Sequence, residues 1–211
     1  MPERRKLADK RKKPRAPAGK VKLVTITGPS CSGKTTLVKA LVATGRFSKV
    51  VSFTSRKPRD GEVEGEDYFF KTRQECEYLI SAEDVVEHNE FNGNIYGVEK
   101  HELRTKMLLD KTPVVIVEPN GLETIKEIYG KKVFSVYITA SMDLLVTRFL
   151  TRFKEDTNAE IPYYTRRFKN MMDEYVKWDC SAEWNTYIKG FTSENQDDII
   201  NSLLMEILPS D

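Results

Sequence analysis

The sequence predicts an α/β protein in which a parallel sheet lies between two layers of helices. Three observations lead to this prediction. The apolar run at 21–27 passes through a glycine-containing loop into residues with helical spacing, as in a strand–loop–helix unit. From residue 100 onward, short β-branched runs alternate with amphipathic segments, which favours parallel strands joined by helices. Between these parts, residues 52–98 carry short strand-like runs and turns, which predict an inserted β-rich lobe.

Local signals define the elements of the first half of the chain. β-branched and apolar residues fill the strand at 21–27, and the helix after the loop is expected to stop at Gly45. Thr72-x-x-Glu75 is a capping box, which predicts a helix over 73–80. Further strands are expected at 50–53, 67–70, 85–87 and 95–96.

Strands and helices alternate in the second half of the chain. Because residues 152–165 are polar and include a proline, they are predicted to form a mobile loop. Ser141 and Ser193 are the predicted caps of the helices that follow them. Strands are expected at 114–117, 133–138 and 187–188. Helices are expected at 100–109, 122–129, 141–151 and 166–178, and the last helix is expected to bury Ile199, Ile200, Leu203, Leu204 and Ile207.

The composition is typical of one soluble domain. Of the 211 residues, 39% are hydrophobic and 31% are charged, and this length suits a single core with small inserted lobes. No apolar run approaches the ~20 residues that span a bilayer, so we expect no membrane association. Three widely separated cysteines, Cys31, Cys76 and Cys180, predict a reducing compartment without a disulfide framework. A cytoplasmic location is therefore expected.

Residues 1–20 form a basic tail. They contain nine Lys or Arg residues and two acidic ones, so the tail carries +7 and the remainder of the chain −5. Three prolines and few large apolar residues predict that the tail is disordered. A solvated extension and a nucleic-acid-binding or nuclear-import patch at 11–15 both fit, and the latter would give a nuclear location. A mitochondrial presequence is disfavoured because the tail has no serine.

Residues 28–35 satisfy the phosphate-binding pattern G-x-x-x-x-G-K-[ST], with the strand before it and the helix after it that the motif requires. In this phosphate loop, backbone N–H groups and the positive end of the following helix would face a polyphosphate. Lys34 is expected to reach the β- and γ-phosphates, and the Thr35 hydroxyl to hold Mg²⁺. The alternative is a chance glycine turn between a strand and a helix.

A second group of residues favours the binding of a separate phosphate. Arg56 and Arg59 flank Pro58, which fixes the loop, so two guanidinium groups can converge on one anion. Tyr68 and Tyr96 are candidates to donate hydroxyl hydrogen bonds to the same anion. The alternative is a solvated basic turn with two tyrosines in the core.

Three blocks of the sequence resemble consecutive blocks of the guanylate kinases. They are Gly28-Pro-Ser-x-x-Gly-Lys-Thr-Thr-Leu37, Thr54-Ser-Arg-x-Pro-Arg-x-Gly-Glu62 with Gly65-x-x-Tyr68-x-Phe70, and Glu87-x-x-x-Phe91-x-Gly-Asn-x-Tyr-Gly97. Their order and spacing match as well, and the likeness covers about 21–208. The resemblance implies a guanylate kinase-like domain at 21–211, with a P-loop core, a monophosphate lobe at about 52–98 and a helical lid at about 148–170.

The resemblance also implies roles for individual residues. It places ATP on Gly28, Pro29, Ser30, Cys31, Ser32, Gly33, Lys34, Thr35 and Thr36. It places the acceptor phosphate on Arg56, Arg59, Tyr68 and Tyr96, and the base on Ser52 and Glu87. Guanine presents adjacent N1–H and N2–H donors that one carboxylate can accept, which suits Glu87.

Several positions depart from the family pattern. Val98 stands where the family usually has serine or threonine, and Cys31 where it usually has glycine. Ile116 and Glu118 replace two aspartates, so Glu118 is a candidate substrate-binding residue. Because a hydroxyl is lost near the base, we hypothesise that selectivity among purine monophosphates is relaxed or shifted.

The lid block supplies three candidate catalytic arginines, in addition to Lys34. Arg167 aligns with the family's lid arginine when counted back from Glu174, and Arg148 and Arg152 align with the two before it. The stretch between Arg152 and Arg167 is about four residues longer than usual. Arginines suit this place because the transferring phosphoryl group spreads negative charge over its oxygens. The alternative for Arg148 and Arg152 is an exposed face of a helix.

The expected function is ATP- and Mg²⁺-dependent phosphorylation of a purine nucleoside monophosphate. GMP, dGMP or a closely related deoxy or modified purine monophosphate is the expected acceptor. The competing interpretation is a non-catalytic, guanylate-kinase-like module that binds phosphopeptides. The intact Gly33-Lys34-Thr35 and the lid arginines argue against that module. The sequence does not distinguish a monomer from a dimer.

Overall fold

The computed structural model describes residues 21–208 apart from 92, 156–159, 179–183 and 193. Its strands are β1 Leu23–Thr27, β2 Phe47–Lys49, β3 Phe53–Thr54, β4 Phe69–Phe70, β5 Val85–Phe91, β6 Asn94–Glu99, β7 Thr112–Ile116, β8 Val133–Thr139 and β9 Thr186–Lys189. Its helices are α1 Lys34–Ala43, α2 Arg73–Ser81, α3 Lys100–Met107, α4 Pro119–Tyr129, α5 Met142–Glu155, α6 Ile161–Trp178 and α7 Gln196–Ile207. The predicted tail at 1–20, Cys180 and the predicted cap Ser193 lie outside the described residues.

A five-stranded sheet in the order β2-β7-β1-β8-β9 forms the centre of the fold. All its neighbouring strands are parallel, and Val24 of β1 pairs with Val114 on one side and Phe134 on the other. Every residue of β1 is buried, as its apolar sequence predicts. The loop that leaves β1 therefore starts in the middle of the sheet's carboxyl edge, where α/β proteins bind their ligands.

Helices cover both faces of this sheet. Val24 and Ile26 point to one face, where they join a buried cluster that includes Leu37 of α1 and Leu203 of α7. Leu23 points to the other face, in a cluster with residues of α3 and α4. The alternation follows from the two-residue period of a strand. The predicted three-layer α/β class is confirmed.

The predicted β-rich insertion is a second sheet in the order β4-β3-β6-β5. Strand β3 is parallel to β4 and antiparallel to β6, and β5 and β6 form an antiparallel pair. Phe53, Cys76 and Ile95 form its small core against α2. Helix α2 begins with the predicted capping box, in which Thr72 and Glu75 each bond the other's backbone.

Helices α5 and α6 pack on each other around a separate aromatic cluster. Leu145 and Phe149 of α5 meet Tyr164 and Met171 of α6. The ring centroids of Phe149 and Tyr164 are 5.8 Å apart in an edge-to-face arrangement. This pair of helices carries the predicted lid arginines.

The predicted mobile loop at 152–165 is wrong at both of its ends, and residues 156–159 lie outside the described residues. Helix α5 continues to Glu155 and α6 begins at Ile161. Pro162 sits in the first turn of α6, where a missing N–H breaks no helical bond. Phe153 and Tyr164, both inside the predicted loop, pack with ring centroids 4.7 Å apart. Tertiary burial of these aromatic residues therefore outweighs the polar composition of the stretch.

The single strand predicted at 50–53 is also wrong. The chain here forms β2 at Phe47–Lys49 in the parallel sheet and then β3 at Phe53–Thr54 in the second sheet. Val50 lies between them, and its N–H bonds to Val114 O at 2.9 Å. One apolar run therefore contributes strands to two different sheets. Its composition alone does not show where the first strand ends and the second begins.

Other predicted boundaries need smaller corrections. Helix α4 begins at Pro119, three residues before the predicted start, with the proline in its first turn. Strands β5 and β6 are longer than predicted, because their antiparallel pairing extends over most of 85–99. Ser141 acts at the start of α5, where its Oγ accepts a hydrogen bond from Leu144 N at 3.4 Å. None of the described helices is long and apolar enough to cross a membrane.

Candidate active site

The phosphate loop is tightly constrained between β1 and α1. A Cβ at Gly28 would lie 1.9 Å from Ile138 O, so only glycine fits the approach of the loop to β8. Gly33 has a φ of 103°, in the left-handed region that favours glycine. Cys31 also has a positive φ, 65°, which is a strained conformation for a residue with a side chain. The loop thus keeps its curved form at some conformational cost.

Lys34 folds back onto the loop. Its Nζ donates hydrogen bonds to Gly28 O at 2.7 Å and Pro29 O at 2.9 Å. Burial lowers the pKa of Lys34 below its ordinary value, although the charge of Glu174 acts in the opposite direction. The ammonium group is therefore positioned beside the loop's backbone at the start of α1.

Two long side chains from α5 and α6 support the phosphate loop. The backbone N–H of Ser30 donates to Glu174 Oε2 at 2.8 Å. Arg148 Nη1 donates to Cys31 O and Ser32 O at 3.2 and 3.3 Å, and its Nη2 donates to Phe191 O at 2.6 Å. These contacts connect the predicted lid helices to the loop directly.

A single cleft of about 810 Å³ brings the predicted site residues together. It lies between the phosphate loop, the second sheet, and helices α5 and α6. All predicted residues except Pro29 and Ser32 line it, namely Gly28, Ser30, Cys31, Gly33, Lys34, Thr35, Thr36, Ser52, Arg56, Arg59, Tyr68, Glu87, Tyr96, Glu118, Arg148, Arg152 and Arg167. The Ser32 side chain is fully buried beneath the loop.

Arg56 is held by the carboxylate of Glu62. Its Nη1 and Nη2 donate to the two oxygens of Glu62 at 2.8 and 2.9 Å, and Arg59 N donates to Glu62 Oε2 at 2.7 Å. Burial acts to lower the pKa of Arg56. The hydrogen bond to Glu62 outweighs burial and raises this pKa above its ordinary value. Among the described residues, nothing accepts a hydrogen bond from the buried Arg56 Nε. Glu62 therefore preorganises the two arginines.

The two predicted tyrosines lie beside Arg56. The Arg56 guanidinium carbon is 5.4 Å from the ring centroid of Tyr68, and the Tyr68 and Tyr96 rings are 6.0 Å apart. Burial raises the pKa of the Tyr68 hydroxyl, which keeps it protonated as a donor. Arginine and tyrosine donors thus lie together in one part of the cleft.

Two half-buried carboxylates, Glu87 and Glu118, also line the cleft. Burial, with a smaller contribution from the charge of Glu118, raises the pKa of Glu87 to about 7. Burial and the charge of Glu174 raise the pKa of Glu118 to about 7 as well, while Asn89 donates a hydrogen bond to it. A Cβ at Gly121 would lie 2.7 Å from Glu87 Oε2, so this glycine makes room for the carboxylate at the first turn of α4.

Val98 gives no polar group to the cleft. It is fully buried, with 0% exposure, and belongs to the apolar cluster beneath the sheet. It pairs with Glu87 across β5 and β6. Ser52 and Asn89, by contrast, line the cleft.

The remaining lid arginines occupy different environments. Arg167 is only 7% exposed, and its Nη1 donates to the Tyr163 hydroxyl at 3.2 Å. Arg152 is exposed on α5 at the edge of the cleft, and its charge acts to lower the pKa of Lys34. Arg167 is therefore held against Tyr163 inside the cleft, whereas Arg152 lies at its edge, close enough for its charge to act on Lys34.

Sequence reasoning missed four residues that shape this site: Glu62, Asn89, Tyr163 and Glu174. A signal existed for three of them. Glu62 ends the arginine-containing block, Glu174 belongs to the lid block from which Arg167 is counted, and Asn89 is two residues after Glu87 on the same face of a strand. Tyr163 gave no signal, because it fell within the stretch predicted to be a mobile loop.

The fold and the cleft define a P-loop protein that presents a phosphate loop to a second, arginine-lined anion site. The sequence model of the guanylate kinase family matches residues 20–191. The chain is 32% identical over 183 residues to a guanylate kinase of Clostridium acetobutylicum, covering 87% of this chain and 84% of that one. It is 36% identical over 139 residues to the Sus scrofa guanylate kinase, with 65% and 70% coverage.

A solved structure is also similar. The crystal structure of guanylate kinase from Anaplasma phagocytophilum matches with a TM-score of 0.64 and 26% identity, covering 90% of this chain and 88% of that one. The chain therefore belongs to the guanylate kinase family, and it is a nucleoside-monophosphate kinase.

Proposed function

We propose that this protein transfers the γ-phosphoryl group of ATP to GMP, dGMP or a closely related purine nucleoside monophosphate. One observation carries the proposal: the phosphate loop and the Arg56–Arg59 pair line the same cleft. Two anionic nucleotides bound there face each other. Guanine is proposed as the base because the related proteins are named guanylate kinases.

The proposed mechanism relies on position and charge. The phosphate loop and Lys34 hold the phosphates of ATP, while Arg56, Arg59, Tyr68 and Tyr96 hold the acceptor phosphate. Arg148, Arg152 and Arg167 stabilise the charge that spreads over the transferring group. The acceptor is already an anionic phosphate, so no general base is required. Closure of the lid helices over the cleft excludes water, which would otherwise hydrolyse ATP.

The residues at the phosphate loop fit Mg²⁺. Thr35 lines the cleft next to Lys34 in the first turn of α1. Mg²⁺ takes few protein ligands and keeps waters and phosphate oxygens, so one hydroxyl with the ATP phosphates suits it. Among the described residues, no group of three or more His, Cys, Asp or Glu side chains is arranged to hold a metal. The ion would therefore come with ATP and neutralise its phosphates.

Base recognition is assigned to Ser52 and Glu87, with Glu118 beside them. An ionised Glu87 accepts the N1–H and N2–H of guanine. Val98 is buried and apolar, so it makes no hydrogen bond at the 6-position of the purine. This supports the hypothesis that discrimination between purines is relaxed.

The test is a panel of monophosphates assayed with ATP and Mg²⁺ by coupled ADP release. We expect turnover of GMP and dGMP and measurable turnover of at least one other purine monophosphate. If GMP and dGMP exceed all other acceptors by ~10³-fold or more, a ratio that strict polar recognition can reach, the selectivity is not relaxed. A wild type that transfers nothing but binds phosphopeptides would overturn the proposed activity itself.

A further inference from the structure

Tyr163 connects the two sides of the cleft. Its hydroxyl oxygen accepts a hydrogen bond from Arg59 Nη2 at 2.9 Å and another from Arg167 Nη1 at 3.2 Å. Arg59 follows β3 in the second sheet, whereas Arg167 lies on α6. One hydroxyl is thus shared by an arginine assigned to the acceptor phosphate and an arginine assigned to the lid.

The chemistry of this hydroxyl leaves its hydrogen available. A phenol has one O–H donor in addition to the lone pairs of its oxygen. Both hydrogen bonds that Tyr163 makes with described residues are accepted by the oxygen, so the O–H is left to donate. Tyr163 lines the cleft together with both arginines. An anion in that part of the cleft is the natural acceptor.

The charges around Tyr163 strengthen it as a donor. Burial acts to raise the pKa of its hydroxyl, but Arg167 and Arg59 outweigh burial and lower the pKa below its ordinary value. The Arg167 guanidinium carbon also lies 5.6 Å from the Tyr163 ring centroid, which orients the ring. A hydroxyl polarised between two cations binds a phosphate oxygen more strongly than an isolated one does.

We propose that Tyr163 is a further phosphate-binding residue, whose hydroxyl donates a hydrogen bond to the acceptor monophosphate while it holds Arg59 and Arg167 together. The inference rests on the proposed function, since it needs an acceptor phosphate at Arg59. It makes acceptor binding and lid closure parts of one event, because the same oxygen contacts both arginines.

The test is Tyr163→Phe, which removes the hydroxyl and keeps the ring. We expect kcat/KM for GMP to fall ~10- to 100-fold, as for the loss of a hydrogen bond to a charged group, with KM for ATP nearly unchanged. Calorimetric binding of GMP should weaken, and binding of guanosine, which has no phosphate, should not. The matched control is Tyr78→Phe on α2, where the side chain is 70% exposed and both kinetics and binding should be unchanged.

Two results would overturn the inference. One is a Tyr163→Phe variant that binds and turns over GMP like the wild type. The other is equal weakening of GMP and guanosine, which would indicate a merely structural role. Because the GMP titrations need no turnover, they test the role of Tyr163 independently of the proposed phosphoryl transfer. A wild type that transfers no phosphoryl group would instead contradict the proposed function.

Discussion

At the scale of single residues, the carboxyl groups of Glu87 and Glu118 are the most perturbed acids of the cleft. Burial raises the pKa of each to about 7 from an ordinary 4.5, with a further contribution from the charge of Glu118 at Glu87 and from the charge of Glu174 at Glu118. In the absence of a ligand, the folded protein keeps protons on these groups that the unfolded chain releases. This proton uptake makes stability depend on pH.

The sign of this dependence is set by the raised pKa values. Between about pH 4.5 and 7 the folded state binds more protons than the unfolded state, so the free energy of unfolding falls as pH rises. We expect a fall of about 1–3 kcal/mol between about pH 5 and pH 8 for the nucleotide-free protein, measured by denaturant unfolding.

The control is a pair of conservative substitutions. Glu87→Gln with Glu118→Gln should flatten the pH dependence without abolishing it, since burial also raises the pKa of Glu174. Glu77→Gln on α2, whose side chain is 54% exposed, should change nothing. An equally steep dependence in the double variant would assign the effect to other groups.

At the scale of elements, the conformation of the phosphate loop depends on steric contact with neighbouring backbone as well as on the backbone freedom of glycine. Gly28 needs room, because a Cβ there would collide with Ile138 O of the neighbouring strand. Gly45, at the end of α1, needs only a positive φ of 73° and has nothing within 4 Å of an added Cβ. Gly28 is therefore required for lack of space, whereas Gly45 is required only for its positive φ.

We expect Gly28→Ala to lower the free energy of unfolding by about 3 kcal/mol and to weaken ATP binding, because the loop must move away from β8. The matched variant Gly45→Ala should cost only about 1 kcal/mol and leave ATP binding intact. Thermal unfolding and ATP titrations of both variants check this. Equal effects of the two substitutions would show that the approach to β8 does not constrain the loop.

The elements differ in how well their sequences predict them. Strand β1, helix α1 and the capping box of α2 are set by local signals and are confirmed. The end of α5 and the start of α6 are not, because the aromatic residues of 152–165 form helices only when they pack on each other. The apolar run at 47–54 likewise looks like one strand until its partners in two different sheets are known.

At the scale of the whole molecule, the central feature is that two phosphate-binding regions from distant parts of the chain share one cleft. The phosphate loop extends from the central sheet, and the Arg56–Arg59 region extends from the second sheet. Helices α5 and α6 contact both, through Arg148 at the loop and Tyr163 at Arg59. The three parts therefore behave as one site.

A bisubstrate ligand tests this arrangement. Adenosine and guanosine joined by a polyphosphate should bind at least ~10²-fold more tightly than ATP or GMP alone, because the second contact becomes intramolecular. Calorimetry with the wild type measures the gain. Arg56→Ala should remove most of it and leave ATP binding unchanged, whereas Lys57→Ala, on an exposed side chain, should retain it. A ligand that gains nothing over ATP would mean that the two sites are not occupied together.

The sequence by itself determined the α/β class and the phosphate loop, because these depend on local spacing and on residue chemistry, and its resemblance to the guanylate kinases named most of the residues that line the cleft. The tertiary structure alone decided which groups support them. Glu174 on the loop and Tyr163 between two arginines are contacts between residues far apart in the chain, and Glu62 reaches Arg56 only because the intervening loop folds back on itself. Such contacts depend on how helices and sheets pack, and this packing cannot be predicted from a local sequence pattern.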